Sequence, residues 1–280
     1  MTFSIAARSD DGSKLGVAVA SKFLAVGAAV PGVQVGAGAI ATQAWANLTY
    51  IPRGLALLSE GNSARETLDA LIAADELAED RQANVVDAQG GSATFTGSRC
   101  YDWAGGRSGP GYALAGNILV GEQVVADMEA AWLAGSDLPF TERLLGALTA
   151  GDNAGGDRRG RQSAAILIGS LGGGYGGGSD IEVDLRVDDH PDPVAELIRL
   201  SRIHHLLFGK PEHTVALEGD YAERLRTALD HLGWTNPDLE RALIECAGVE
   251  NLEERLVPGR LDLVVLEYLE SRMSSIEDPT

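Results

Sequence analysis

Thr2-Phe3-Ser4-Ile5-Ala6-Ala7-Arg8 opens the chain as a strand-like run. A polar turn, Ser9-Asp10-Asp11-Gly12, separates it from a second run, Lys14-Leu15-Gly16-Val17-Ala18-Val19-Ala20-Ser21-Lys22. Two apolar runs around Asp-Gly predict a β-hairpin. The first strand begins at the first residue after Met1. A small residue there permits removal of Met1, and Thr2 would then carry a hydroxyl and a free α-amine together. An α-amine with a pKa of about 8 is partly unprotonated at neutral pH and can serve as base to its own hydroxyl. Thr is also an ordinary strand residue, so the chemistry depends on what the rest of the chain builds around it.

Outward from the hairpin, residues 25–44, with Pro31, Gly32, Gly36 and Gly38, predict two more short strands. Residues 48–73 change to helical texture, and Ser63-Ala64-Arg65-Glu66 is a capping box. Strands are expected at 82–87 and 93–96 around Gln89-Gly90-Gly91, then a Gly-rich loop over 104–111 and a strand at 112–115. Helices follow at 124–133 and 139–148, then strands at 163–168 and 181–187 around the Gly-rich segment 172–178. Asp192-Pro193 starts a helix to about 208. Paired helices between groups of strands argue against a doubly wound sheet. They predict α+β layers: two stacked sheets with helices on the outer faces.

Composition bounds the function. The 280 residues carry a net charge of −19, which disfavours nucleic acid and anionic membrane surfaces as partners. Residues 211–280 hold 16 Asp/Glu against 6 Arg/Lys, so a separate acidic module is expected there, with three short helices over 221–232, 239–247 and 261–269. Domains are accordingly expected at 1–210 and 211–280. Two cysteines, Cys100 and Cys246, give neither a disulfide framework nor a zinc spacing. With no signal peptide or membrane-length apolar run, a cytoplasmic protein is expected, with no metal and no cofactor.

Several motifs converge on a family. The opening hairpin, Ala41-Thr42-Gln43-Ala44-Trp45-Ala46-Asn47, Phe95-Thr96-Gly97, Trp103-Ala104-Gly105, Gly116-Asn117-Ile118-Leu119, Gly155-Gly156-Asp157-Arg158-Arg159-Gly160-Arg161-Gln162-Ser163 and Asp184-Leu185-Arg186-Val187-Asp188-Asp189-His190-Pro191 resemble the bacterial domain-of-unknown-function family ten-twenty-eight. That family is grouped with the N-terminal nucleophile (Ntn) hydrolases, so the resemblance implies a four-layer αββα sandwich over about residues 2–208. The tail, with Gly248-Val249-Glu250-Asn251-Leu252-Glu253-Glu254-Arg255, resembles a peptidoglycan-binding-like module. Many family members have His where this chain has Gly106, and Gln where it has Ala115.

On that basis Thr2 is the expected nucleophile of an amidohydrolase acting through an acyl-enzyme on an amide or imide of a small substrate. Lys22 and Ser21, ending the second strand, are expected beside it, Lys22 favouring the active form. Asn47 and Asn117 are candidate donors to a developing oxyanion. Gln43 and Trp45 are expected to line the substrate, while Asp157, Arg159 and Arg161 suit a substrate carboxylate, as a guanidinium fork matches it at two points. Cys100 is a rival nucleophile that lacks an evident histidine partner. The alternative is an inactive Ntn-type scaffold serving binding or assembly. A homo-oligomer is expected, with the acidic tail as an interaction or oligomerisation module; cell-wall binding is a further reading of that tail.

Overall fold

In the computed structural model, residues 2–277 are described; they fall into two compact units, the first ending at Leu200 and the second starting at Ser201. The first unit holds β1 (Thr2–Arg8), β2 (Lys14–Ser21), β3 (Pro31–Gln34), β4 (Gly38–Ala44), α1 (Tyr50–Ser59), α2 (Ala64–Ala73), β5 (Arg81–Asp87) and β6 (Ser92–Thr96). It continues through β7 (Gly105–Gly109), β8 (Tyr112–Asn117), α3 (Gln123–Ala134), α4 (Phe140–Asn153), β9 (Ser163–Ser170) and β10 (Ile181–Val187) into α5 (Pro193–Phe208). One sheet runs β10-β9-β2-β1-β8-β7 and the other β3-β4-β5-β6, with antiparallel neighbours throughout. The mixed α and β organisation expected from the sequence holds.

Alternation along β1 shows how the layers divide. Phe3, Ile5 and Ala7 join Met128 of α3 and Leu144 and Leu148 of α4 in one core cluster. Ala6, between them, joins Val17, Val19, Ala39, Ala41, Val86 and Ala113, which come from both sheets. Successive strand side chains point to opposite faces, so β1 serves a helix-facing core and a sheet-facing core at once. The small residues of the second cluster let the two sheets approach closely. A third cluster, with Tyr50, Leu58, Leu68 and Leu71, packs α1 and α2 on Ile40, Ala83 and Val85 of the smaller sheet.

The capping box forms at the start of α2: the Ser63 side chain accepts from the Glu66 N–H and the Ser63 N–H donates back to Glu66 at 2.9 Å. Two local readings differ from the structure. The stretch expected as a loop at 104–111 contains β7, whose Gly-rich sequence has few side chains to signal a strand but still supplies a full backbone ladder to β8. Near the C-terminus, a helix expected from residue 261 begins at Leu263, because β12 (Arg260–Asp262) pairs with β11 (Thr214–Ala216).

In the second unit α6 (Gly219–His231), α7 (Leu239–Glu250) and α8 (Leu263–Glu277) enclose a core with Leu225, Leu229, Leu243, Cys246, Leu261, Leu266 and Leu269. Burial pushes the Cys246 thiol up to about 11, so it packs as a neutral apolar group. Arg255 is fully buried and pairs with buried Asp262 at 2.7 Å. It also donates to the carbonyls of Leu206 (2.6 Å) and His205 in the last turn of α5, the latter also accepting from Gly209 N–H. Removing one member of such a pair strands the other charge. Arg255→Met is therefore expected to lower unfolding free energy by about 3–5 kcal/mol, and adding Asp262→Leu to recover much of it. Urea melts of the two variants check this.

Candidate active site

Thr2 sits at the start of β1 and is 5% exposed. Its Oγ1 lies 3.1 Å from Ser21 Oγ at the end of β2. Across β8 its register partner is Asn117, also buried. Three of the expected residues therefore meet at one end of the larger sheet because β1 is flanked by β2 and β8. The pairing of adjacent antiparallel strands brings them together, although they stand 19 and 115 positions apart from Thr2 in sequence.

Asp157 closes this end. Its buried carboxylate accepts from the Lys22 N–H at 2.7 Å and the Arg159 N–H at 2.8 Å. The chain around it also runs beside the exit of β8: Val120 N–H bonds Gly156 O, Leu119 bridges Asp157, and Arg158 N–H bonds Ile118 O. Gly156 adopts φ +48°, and a Cβ there would stand 2.9 Å from the Phe3 ring. Only glycine lets this turn approach β1 so closely. The Lys22 ammonium donates to Arg161 O at 3.3 Å. Arg159 contacts Asp157 at 3.3 Å and Arg161 contacts Asp152 at 2.7 Å. Among the described residues Arg158 makes no ion pair.

Where the strands leave the site, the backbone turns sharply. Ala25, Ala44 and Ile118 have φ of 52°, 67° and 50°. They follow Ser21, Gln43 and Asn117 respectively, so each of three site-bearing strands is redirected within four residues of its site residue. For β-branched Ile118 the left-handed region is sterically costly, and such residues persist where surrounding contacts hold them. Hydrogen bonds on both sides supply those contacts here: Ile118 N–H donates to Tyr101 O, and Ile118 O accepts from Arg158 N–H.

Between the two sheets, next to Thr2, lies a seam of buried polar side chains. Ser4 Oγ donates to Gln43 Oε1 at 2.7 Å, and Gln43 Nε2 donates to Gln82 Oε1 at 2.7 Å. Asn117 Nδ2 donates to the same Gln82 oxygen at 2.9 Å. Asn84 Nδ2 donates to Ser4 Oγ at 3.2 Å and receives Thr94 Oγ1 at 2.8 Å on its own oxygen. Sequence reasoning included Gln43 and Asn117 but missed Ser4, Gln82, Asn84 and Thr94. A signal existed: Gln82 and Asn84 alternate with Ala83 and Val85, which marks a polar strand face that the structure buries completely. Gly106 and Ala115 border this region as direct partners across β7 and β8.

Other expected residues lead elsewhere. Asn47 donates to Asp75 at 2.8 Å and accepts from Thr49 N–H and Oγ1, so its amide is occupied at the start of α1. Trp45 is 69% exposed just past β4, its carbonyl held by Arg81. The Cys100 thiol donates to Arg81 O at 3.3 Å, and burial raises its pKa, which opposes a thiolate role. His190 Nδ1 accepts from Asp192 N–H at 3.0 Å, consistent with a turn. Among the described residues no helix is long and apolar enough to cross a membrane.

Residues 2–197 match the family described as "Family of unknown function (DUF1028)", which is most of the chain. The protein belongs to that family. A solved member, the crystal structure of protein SPO2555 from Silicibacter pomeroyi, is 30% identical with a TM-score of 0.66, over 79% of this chain and 92% of that one. Anbu (ancestral beta-subunit) from Yersinia bercovieri aligns at 15% identity and a TM-score of 0.36, over 72% of this chain and 93% of that one, too slight a likeness to argue from. Residues 206–269 match the family described as "Putative peptidoglycan binding domain". No curated protein matches the chain.

Burial would push the Asp75 carboxyl up, but hydrogen bonds from Arg81 and Asn47 outweigh it and hold the group well below the usual carboxylate range. With a depressed folded pKa, its contribution is full above the unfolded value of about 4 and is lost as pH falls toward the folded one. Amide hydrogen exchange around residues 45–50 is expected to speed up below about pH 4 in wild type and to lose that step in Asp75→Asn. Asp157→Ala is expected to cost about 1–3 kcal/mol by orphaning the Lys22 N–H, and to expose residues 155–161 to limited proteolysis.

Proposed function

We propose that this protein is an N-terminal nucleophile hydrolase of four-layer αββα build that cleaves an amide or imide bond of a small, carboxylate-bearing substrate. The observation that carries the reading is the meeting of Thr2 Oγ1, the Ser21 hydroxyl 3.1 Å away and the Asn117 amide opposite it in register. The packing of helices on each of two facing sheets supports the layering.

In this reading Met1 is removed and the Thr2 α-amine becomes the base. Thr2 Oγ1 attacks the substrate carbonyl carbon and its proton passes to the amine. The C–N bond then breaks, and the amine returns the proton to the leaving nitrogen. Water attacks the resulting ester, with the amine again as base, releasing the acid and restoring Thr2. The Ser21 hydroxyl orients Oγ1. Of the two candidate oxyanion donors, Asn117 is favoured, because it stands opposite Thr2 in register and its NH2 has a second hydrogen beyond the one given to Gln82, whereas Asn47 is committed at the start of α1. The Lys22 ammonium adds positive charge at this end of the sheet.

Substrate recognition falls to the rim formed by the loop of Asp157, Arg159 and Arg161, with Gln43 buried in the seam and Trp45 exposed past the end of β4. Arg159 and Arg161 are engaged by Asp157 and Asp152, which leaves Arg158 as the guanidinium of this loop without an ion pair among the described residues. Residues 1–210 would form the catalytic domain of a cytoplasmic enzyme. Residues 211–280 would form an acidic second domain, for which the match over 206–269 supports peptidoglycan binding.

Intact mass of the native protein is expected to lack one methionine residue. Retention of Met1 would remove the amine and with it the mechanism. Screened against small amides and cyclic imides bearing a carboxylate, wild type is expected to turn over at least one. Thr2→Ala should lose about 10³-fold or more of that rate while keeping the wild-type melting temperature. Hydrolysis undiminished in Thr2→Ala sinks the assignment.

A further inference from the structure

Gln82 touches none of the atoms proposed to react, yet the sense of the Asn117 amide depends on it. Gln82 is fully buried on β5. Its Nε2 donates to Gly116 O at 2.8 Å, to Thr96 Oγ1 at 2.8 Å and more weakly to Gly105 O at 3.3 Å. Main-chain carbonyls only accept, so they fix which end of the Gln82 carboxamide is NH2. The other end is therefore oxygen, and it faces the amides of Asn117 and Gln43. Both must turn their NH2 groups toward it. The choice passes on: Gln43 presents its oxygen to Ser4, whose hydroxyl accepts from Asn84. A chain of side chains that could each be flipped alone is thus set in one direction by the backbone of β8.

We infer that Gln82 is a positioning residue for the reaction proposed above, holding the Asn117 side chain in a single rotamer and a single amide sense opposite Thr2. The inference rests on the Thr2 reading. An oxyanion donor contributes only if its N–H is aimed before charge develops, so a flipped Asn117 would present oxygen to a developing negative charge. Without Gln82 the buried Asn117 amide loses the acceptor that sets its sense, while both carbonyls that set Gln82 lose a donor.

The test uses the full chain and p-nitrophenyl acetate as acyl donor. Acylation forms the bond from Thr2 Oγ1 to the acetyl carbon, expels p-nitrophenolate and moves the hydroxyl proton to the α-amine. The burst of p-nitrophenolate gives the rate and intact mass gives the adduct. Gln82→Leu is expected to slow acylation by about 10–100-fold, approaching the loss in Asn117→Ala. The double variant is expected to be no slower than Asn117→Ala alone, as for residues that act as a unit. Multiplied losses in the double variant overturn the inference.

Gln82→Glu keeps the shape and gives a second readout that survives if the leucine variant fails to fold. Protonated, the new carboxyl can still donate to Gly116 O and accept from both amides; ionised, it cannot donate. Its rate relative to wild type is expected to fall as pH rises between about 5.5 and 8.5, since burial raises a carboxyl pKa into that range. A ratio that stays level across this range counts against the inference. If wild type with Met1 absent gives no adduct on Thr2, the Thr2 reading itself fails and takes this one with it. An adduct on Thr2 with multiplied losses sinks only the role of Gln82.

Discussion

A buried amide must find partners or lose several kcal/mol, and one end of the space between the two sheets is filled with amides. Gln43, Gln82, Asn84 and Asn117 stand there almost without solvent, with Ser4 and Thr94 between them. Each bond in the seam crosses from one strand to another, and several cross from sheet to sheet. Sliding either sheet by one residue would bring alanines and valines opposite carboxamides. The apolar half of the same layer, with Val17, Val19 and Val86, supplies the driving force for stacking the sheets, but apolar contacts tolerate small displacements. Register therefore depends on the polar half.

That division of labour explains where the candidate chemistry stands. The seam lies at the end of the layer where β1 begins, so the most rigidly specified part of the core abuts Thr2. On the opposite side the loop held by Asp157 ties the ends of β2 and β8 together through main-chain N–H groups. Thr2 is thus flanked by a side-chain network and a backbone clamp.

Much of this was legible in the amino-acid sequence. The hairpin around Asp11-Gly12, the capping box at Ser63 and the alternation of 181–187 each carry a local signal, and the structure has those elements. The family motifs marked the Thr2, Ser21 and Asn117 segments. Gln82 and Asn84 were not recognised, because a polar residue alternating with Ala or Val looks the same whether its face meets water or a second sheet. Only the stacking of β5 on β1 and β8 decides between them. Asn47 shows the converse: its amide suits an oxyanion donor by type, and only the position of Asp75 reveals its commitment to the start of α1. For Gly105–Gly109 the reason is plainer, as a backbone ladder needs no side chains to announce it.

The facing pair Gly106 and Ala115 sets how closely the edge of the larger sheet can approach the seam. A Cβ at position 106 would lie 2.4 Å from Thr94 Oγ1, and Thr94 in turn is bonded to Asn84. It would also stand 2.7 Å from Leu114 O, a main-chain atom, so β7 passes this close only with glycine at 106. Any side chain at 106 would push on the Thr94 hydroxyl and through it reach Asn84, so the edge strand of the larger sheet and the amides of the smaller one share a single clearance.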